Sequence, residues 1–215
     1  MIARFALFDM LNFVTPVRRV APALLMVVAA PVISPWPAFG IGAAAVVMSL
    51  LASNPFATDE RGRLDTLYGT LPLTRRSVVA GRYLALVVLY VVVALLASIA
   101  AIVVQLNQGQ AVDFRLLGEA NVISVLMYAI ALAVQLPFFF SLGFTRARAM
   151  TFIPSALLVG CAALASQLGI LNQVDLVDRI SRNLTIVWIA SPVIVAAALG
   201  ASIAISFEHY RRRAL

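Results

Sequence analysis

The sequence predicts an all-α polytopic membrane protein with six transmembrane helices, an N-terminal interfacial helix and a further amphipathic helix in a cytoplasmic segment. Three observations predict this fold class. Of the 215 residues, 63% are hydrophobic and only 12% are charged, whereas soluble domains have about 45–50% apolar and about 25% charged residues. Several apolar runs approach the ~20 residues that a membrane-spanning helix needs. The arginines are also distributed asymmetrically over the polar segments between these runs.

The first predicted element is an interfacial helix over residues 1–19. Its apolar side chains recur near helical spacing, at Phe5, Leu7, Phe8 and Leu11. Arg4, Asp9 and Asn12 make the stretch too polar to cross a bilayer, so we expect it to lie along the membrane surface.

The next apolar run, residues 20–53, is predicted to form two short spans. A single helix of 34 residues would be ~51 Å long at 1.5 Å per residue, which exceeds the hydrocarbon core of a bilayer. Two prolines flank a tryptophan at 35–37, and this pattern favours a turn at the membrane interface. We therefore expect spans at about 20–34 and 38–53.

Four further apolar runs complete the six spans, at about 78–104, 121–142, 151–170 and 184–207, and a tail follows at 208–215. An even number of spans places both termini on one side of the membrane, together with the polar segment 54–77. Thirteen of the 16 arginines then lie on that side and three on the other. Because cytoplasmic loops are enriched in basic residues, we expect both termini and the 54–77 segment in the cytoplasm.

The polar segment and the start of the third span, residues 54–84, hold eight of the chain's 25 charged residues. Thr58 followed by two carboxylates is typical of a helix start. An apolar stripe then recurs at i, i+3, i+4 and i+7, formed by Leu64, Leu67, Tyr68 and Leu71. Pro72 is predicted to end this helix and Thr74 to cap the next one.

Two interpretations of this amphipathic helix are open: it lies in the membrane interface, or it docks into a groove on a cytoplasmic protein. Its polar face carries both signs of charge, at Asp59, Glu60, Arg61, Arg63 and Asp65. Helices that bind anionic lipid are more uniformly basic, so the mixture favours a protein partner. At the start of the third span, Arg75, Arg76 and Arg82 are expected to anchor the helix in the lipid headgroups.

This segment resembles the corresponding part of small bacterial permease subunits of type 2 ABC exporters. The resemblance is carried by TDERG at 58–62, LYGTLPLTRR at 67–76 and VVAGRYL at 78–84. In that family the segment lies between spans two and three and supplies the coupling helix, which sits in a cleft of the ATP-binding subunit. The resemblance implies a bacterial inner membrane, a second permease copy or a sister permease, and ATP and Mg²⁺ bound by the partner ATP-binding subunit.

The resemblance also implies which residues contact the partner ATPase, namely Asp59, Glu60, Arg61, Leu64, Asp65, Leu67, Tyr68 and Leu71. Arg146 and Arg148 lie in the other predicted cytoplasmic turn, where they either touch the same ATPase or only orient the chain. Gln135 and Gln167 are polar residues inside predicted spans. They are candidates for lining a transport pathway or for hydrogen bonding between helices.

The composition argues against several other classes of protein. The chain contains no lysine, so it lacks a phosphate-binding loop of the GxxxxGK[ST] type, and we expect neither a cofactor nor catalytic activity of its own. One cysteine, Cys161, allows no disulfide within the chain and no cysteine-rich metal site. The net charge of +7 fits membrane orientation better than nucleic-acid binding. The alternative function left open is a non-transporting scaffold or assembly factor that recruits a cytoplasmic protein.

Overall fold

The computed structural model describes residues 2–14, 17–34, 38–62, 74–167 and 184–212, and all regular secondary structure in these ranges is helical. The helices are α1 Ile2–Val14, α2 Val17–Ile33, α3 Phe39–Leu51, α4 Asn54–Gly62, α5 Arg75–Asn107, α6 Phe114–Ala147, α7 Ile153–Gln167 and α8 Leu184–Arg212. A 3₁₀ turn, Arg148–Thr151, joins α6 to α7. The predicted all-α fold class is confirmed for the described part of the chain.

Four helical stretches of the described chain are long and apolar enough to cross a membrane: Phe39–Gly62, Arg75–Asn107, Phe114–Leu157 and Trp188–Arg211. Val20–Ile33 is a shorter apolar helix. The predicted fifth span, 151–170, corresponds to α7 as far as Gln167, and its last residues lie outside the described ranges. The chain is a multi-pass membrane protein, and the count of six spans stays a prediction.

Side-chain contacts fix the relative directions of the longest helices. Between α5 and α6 the contacts run in opposite order along the chain: Ser98 with Asn121, Tyr90 with Ser124, and Leu86 with Tyr128. Between α6 and α8 the contacts run in the same order: Gly118 with Trp188, then Ala133 with Ser202. Helix α5 is therefore antiparallel to both α6 and α8, as expected for helices that cross a membrane in alternation.

One end of the bundle, which we call the charged end, collects helix ends from distant parts of the sequence. Arg75, at the start of α5, donates a 2.7 Å hydrogen bond to the carbonyl oxygen of Arg211 near the end of α8. Thr145, near the end of α6, donates to Glu60 of α4. Helix α1 packs on α5 at this same end. Helix α1, helix α4, the start of α5 and the ends of α6 and α8 therefore lie at one end of the bundle.

Helix α1 lies against α5 with one face and leaves the other exposed. Among the α1 side chains that the structure describes, Phe5, Ala6, Asp9 and Phe13 are buried, and Phe5, Asp9 and Phe13 lie about one turn apart. Leu7, Phe8 and Leu11 are 58%, 40% and 60% exposed and form an apolar outer face suited to a membrane surface. The helical spacing predicts that Phe5 lies on this outer face with Leu7, Phe8 and Leu11. The side chain points inward instead, because α5 approaches α1 closely.

Gly81 permits this close approach. A Cβ atom at Gly81 would lie 2.7 Å from Phe5 Cδ1 and 3.1 Å from the backbone oxygen of Ile2. In thermal unfolding of detergent-solubilised protein, Gly81→Ala is expected to destabilise the fold by about 1–3 kcal/mol, as overpacking typically does. Gly200→Ala is the matched control, because a Cβ there meets nothing within 4 Å. Equal melting temperatures for the two variants would contradict this packing.

Helix α4 begins earlier than the sequence predicts. Its first residue is Asn54, so Thr58 lies inside the helix, and the prediction that Thr58 starts it is wrong. Proline is tolerated in the first turn of a helix because an N–H there has no intrahelical partner, and Pro55 occupies that place. Phe56 then packs against Phe139, with ring centroids 5.1 Å apart, so tertiary contact holds this turn in the helix.

The predicted cap of α5 is confirmed, because Thr74 Oγ1 accepts a 3.2 Å hydrogen bond from the backbone N–H of Ser77. The structure describes the polar segment up to Gly62 and again from Thr74. The predicted helix end at Pro72 and several predicted contact residues lie outside the described residues: Leu64, Asp65, Leu67, Tyr68 and Leu71.

Candidate functional site at the charged end of the bundle

Arg82, in the third turn of α5, is the buried centre of the charged end. Its Nε and Nη2 atoms donate to the two carboxylate oxygens of Asp9, at 3.1 and 2.9 Å. Its Nη1 atom lies 2.7 Å from Oδ2 of Asp59. The residue is 1% exposed. Because Asp9 belongs to α1 and Asp59 to α4, this one guanidinium group joins three helices.

Aromatic rings surround the guanidinium group of Arg82. Its Cζ atom lies 4.6 Å from the ring centroid of Phe56 and 5.9 Å from that of Phe5, within the range of cation–π attraction. Phe56 also meets the ring of Phe140 edge-on, at a centroid distance of 5.0 Å. Phe140 in turn lies 5.6 Å from Tyr210 of α8. These apolar surroundings lower the local dielectric constant, which strengthens the ion pairs and raises the cost of losing one partner.

This burial corrects the expectation that Arg82 anchors α5 in the lipid headgroups. An arginine that begins an apolar run usually faces the headgroups, but here two carboxylates from other helices hold it inside the protein. Burial raises the pKa of the Asp9 carboxyl, and the adjacent Arg82 charge opposes that rise. The Asp9 carboxylate therefore depends on Arg82 for its stability inside the bundle.

A second contact joins α4 to the end of α6. Glu60 accepts hydrogen bonds from the backbone N–H of Thr145 at 3.0 Å and from its hydroxyl at 2.6 Å. Gly143 makes this geometry possible, because with φ 77° and ψ 173° it breaks the helical path of α6 just before Thr145. These dihedral angles lie in a region essentially restricted to glycine. The end of α6 is thereby turned so that its backbone meets α4.

A cavity of about 20 Å³ lies beside the ion pairs. Its lining includes Asp59 and Glu60 of α4, Arg82 of α5, Gly143 of α6 and Tyr210 of α8. This volume suits about one water molecule and is too small for an organic ligand. The described polar groups of the charged end therefore bind one another across helices and do not form a ligand pocket. The cavity leaves room for about one water molecule next to Asp59.

The structure brings together the two regions that were predicted to contact an ATPase. Glu60 of the first region bonds to Thr145, which directly precedes Arg146 of the second region. Arg61, Arg146 and Arg148 are all exposed. They are available at the charged end for a partner, whereas the carboxylate of Asp59, which is 13% exposed, pairs with Arg82 inside the chain.

Arg75 and Arg76, the other two predicted headgroup anchors, are exposed at the start of α5. Besides its bond to Arg211, Arg75 lies 3.5 Å from the carbonyl oxygen of Tyr210. The Arg76 guanidinium lies 4.9 Å from the ring centroid of Phe207. Both side chains thus tie α5 to α8, and their contact with lipid headgroups stays a prediction.

The two candidate pathway residues occupy different environments. Gln135 is fully buried in α6 and donates a 3.3 Å hydrogen bond to the backbone oxygen of Thr151, in the turn before α7. In this conformation it links two elements of the bundle and does not face an open route. Gln167 is exposed at the last residue of α7, and its role stays a prediction.

Sequence reasoning did not assign a functional role to Asp9, Gly143 or Thr145. The available signal at Asp9 is its position one turn from both Phe5 and Phe13, because a carboxylate on a face that becomes buried needs a charged partner. Gly143 carries a weaker signal, a glycine at the boundary between an apolar run and a polar turn. No local pattern identifies Thr145.

A family model described as ABC-2 family transporter protein matches residues 18–211. The chain belongs to the ABC-2 transporter family. The resemblance to type 2 ABC permeases is confirmed, and the protein is a membrane component of an ABC transporter. Membership in the ABC-2 family implies an ABC ATP-binding partner. Neither the curated proteins nor the solved structures include a match to this chain. Asp9 and the rest of α1 precede the residues matched by the ABC-2 family model.

Proposed function

We propose that this ABC-2 protein is the permease subunit of an ATP-driven exporter and that α4, with residues 63–73, couples it to a separate ATP-binding subunit. The family match supports the permease class. The coupling role is carried by one observation: α4 is joined to α5 through Asp59 and Arg82, and to the end of α6 through Glu60 and Thr145. ATP and Mg²⁺ bind to the partner subunit.

Coupling requires two arrangements of the permease that nucleotide binding to the partner biases differently. A displacement of α4 reaches α5 directly, because Asp59 and Arg82 are in ionic contact inside the bundle. The same displacement reaches the turn between α6 and α7 through Glu60. Two separate parts of the membrane domain thus receive the motion of one short helix.

The proposed setting is a bacterial inner membrane, with six spans, both termini in the cytoplasm and the charged end facing the ATP-binding subunit. The excess of arginine in segments that meet at the charged end supports this orientation. The transport pathway forms with a second copy of this chain or with a sister permease. Exposed apolar side chains on α5 and α8, such as Leu95 and Val193, suit lipid or a second subunit.

The decisive test uses the apolar stripe that the sequence predicts for residues 64–71. The chain is co-expressed with an ABC ATP-binding subunit that co-purifies with it, and Leu67→Glu and Tyr68→Glu are compared with the parent. Each variant is expected to weaken binding of the ATP-binding subunit about 30-fold or more, because a central apolar contact typically contributes at least ~2 kcal/mol. Titrations in detergent measure the Kd, and phosphate release measures the ATPase rate.

Ala111→Glu is the matched control, because it places the same charge at an exposed position beyond the opposite end of α5. It is expected to bind the ATP-binding subunit as the parent does. Parent-like binding and ATPase rates for both stripe variants would refute the coupling role of this segment. A different outcome would favour a scaffold that only recruits its partner: the stripe variants lose binding of the ATP-binding subunit, but nucleotide has no effect on the parent complex.

A further inference from the structure

The two carboxylates that pair with Arg82 differ in how deeply they are buried. Asp9 uses both oxygens, one on Nε and one on Nη2, and its side chain is 3% exposed. Asp59 contacts Nη1 through Oδ2 at 2.7 Å, and its side chain is 13% exposed. Asp59 also lines the water-sized cavity, whose lining does not include Asp9. Asp9 is therefore the more deeply buried partner, and its two oxygens hold two edges of the guanidinium group.

The geometry of an arginine explains why this difference matters. Its N–H groups lie in one plane at fixed angles, so two parallel bonds to one carboxylate determine where the remaining N–H groups point. With Nε and Nη2 bonded to Asp9, Nη1 points toward α4, where Asp59 receives it. Without Asp9, the long and flexible side chain of Arg82 can adopt several rotamers, so Nη1 is no longer oriented toward Asp59.

Helix α1 packs on α5 through residues on either side of Asp9, and this packing fixes the position of Asp9. Phe5 and Phe13, one turn before and one turn after Asp9, are buried on the same face. Gly81, the neighbour of Arg82, lets α1 approach α5. The orientation of Arg82 therefore derives from α1, which precedes the residues matched by the family model.

We infer that Asp9 is a positioning residue for α4: it fixes the guanidinium group of Arg82 so that Asp59 meets it, and thereby sets where α4 sits. Helices α1 and α5 form a fixed pair, and α4 is attached to that pair through the bond between Arg82 and Asp59. This inference deepens the proposed function. The positioning of α4 by Asp9 stands independently of that function, whereas the conclusion that α1 helps to position a coupling helix rests on it.

The test is a double-mutant cycle on the full chain in lipid nanodiscs, read by hydrogen exchange of the amides in α4. Asp9→Asn removes the bidentate bond and is expected to speed exchange in α4 about tenfold, the effect of losing one charged hydrogen bond. Arg82→Lys keeps the charge but removes the planar fork, and it is expected to speed exchange as well. In the Arg82→Lys background, Asp9→Asn is expected to add no more than about a twofold change, since its effect passes through the fork.

Two controls separate positioning from simple docking of α1. Phe13→Ala loosens a buried apolar contact of α1 without touching Arg82, and it is expected to speed exchange in α1 while leaving α4 within about twofold of the parent. Asp9→Glu retains a carboxylate and is expected to restore most of the protection of α4.

The inference is overturned if Asp9→Asn has the same effect with arginine and with lysine at position 82. It is also overturned if Phe13→Ala speeds exchange in α4 as much as Asp9→Asn does, because α1 would then act through its own contact with α4. The assay contains neither the ATP-binding subunit nor nucleotide. Its failure is therefore distinguishable from a failure of the proposed coupling role.

Discussion

Arg82→Met is expected to lower the free energy of unfolding by about 3–5 kcal/mol, because it leaves two carboxylates buried without their opposite charge. Asp9 and Arg82 have side chains that are only 3% and 2% exposed, and both ion pairs are shorter than 3 Å. For a chain of this length the loss corresponds to a melting temperature lower by about 6–20 °C. Thermal unfolding in detergent, with the yield of monodisperse protein after extraction, measures the effect.

Two variants give this prediction its controls. Arg115→Met removes an arginine whose side chain is 61% exposed and pairs with Glu119 within α6, and it is expected to cost about 0.5 kcal/mol or less. The triple variant Asp9→Leu, Arg82→Met, Asp59→Leu replaces the entire ion-pair cluster by apolar side chains and is expected to recover most of the lost stability. If Arg82→Met and Arg115→Met melt within a degree of each other, the buried ion pairs do not contribute as argued.

The long helices could be predicted from the sequence because the membrane imposes a simple rule. A helix that crosses the bilayer needs about 20 apolar residues, and the third predicted span, 78–104, falls inside α5, Arg75–Asn107. The cap at Thr74 was also predictable, because a hydroxyl at that place satisfies a backbone N–H within the same turn. These features depend on residues close together in sequence.

The charged end could not be predicted in the same way, since its contacts join distant residues. Asp9 and Arg82 are 73 positions apart, and Glu60 and Thr145 are 85 apart. An arginine at the start of an apolar run is typical of a headgroup contact, so the local sequence predicts that Arg82 faces the lipid headgroups. Only the packing of α1 on α5 turns the guanidinium group inward. The start of α4 was missed for a similar reason, because contacts of Phe56 extend the helix beyond its local signal.

Under the proposed coupling role of α4, Gly143→Ala is expected to uncouple the permease from its ATP-binding subunit. With φ 77° and ψ 173°, Gly143 occupies a conformation that costs other residues about 1–3 kcal/mol. An alanine relieves that strain by returning toward helical angles, which rotates the end of α6 and separates Thr145 from Glu60. We expect the variant to bind the ATP-binding subunit through the 64–71 stripe with a Kd within about threefold of the parent's, a difference of about 0.7 kcal/mol. We expect it to lose most nucleotide-dependent change in exchange at the 145–151 turn.

Gly160→Ala is the matched control, since Gly160 lies in α7, where a Cβ meets nothing within 4 Å. Thr145→Val leaves the backbone of Gly143 unchanged and removes only the hydroxyl bond to Glu60, an exposed contact expected to contribute about 1 kcal/mol. A partial loss in Thr145→Val and a larger loss in Gly143→Ala would show that motion reaches this turn through Glu60. If Gly143→Ala melts lower than the parent but keeps the full nucleotide response, the break in α6 supports only the fold. Motion of α4 would then enter the membrane domain through its other contacts, such as that between Asp59 and Arg82.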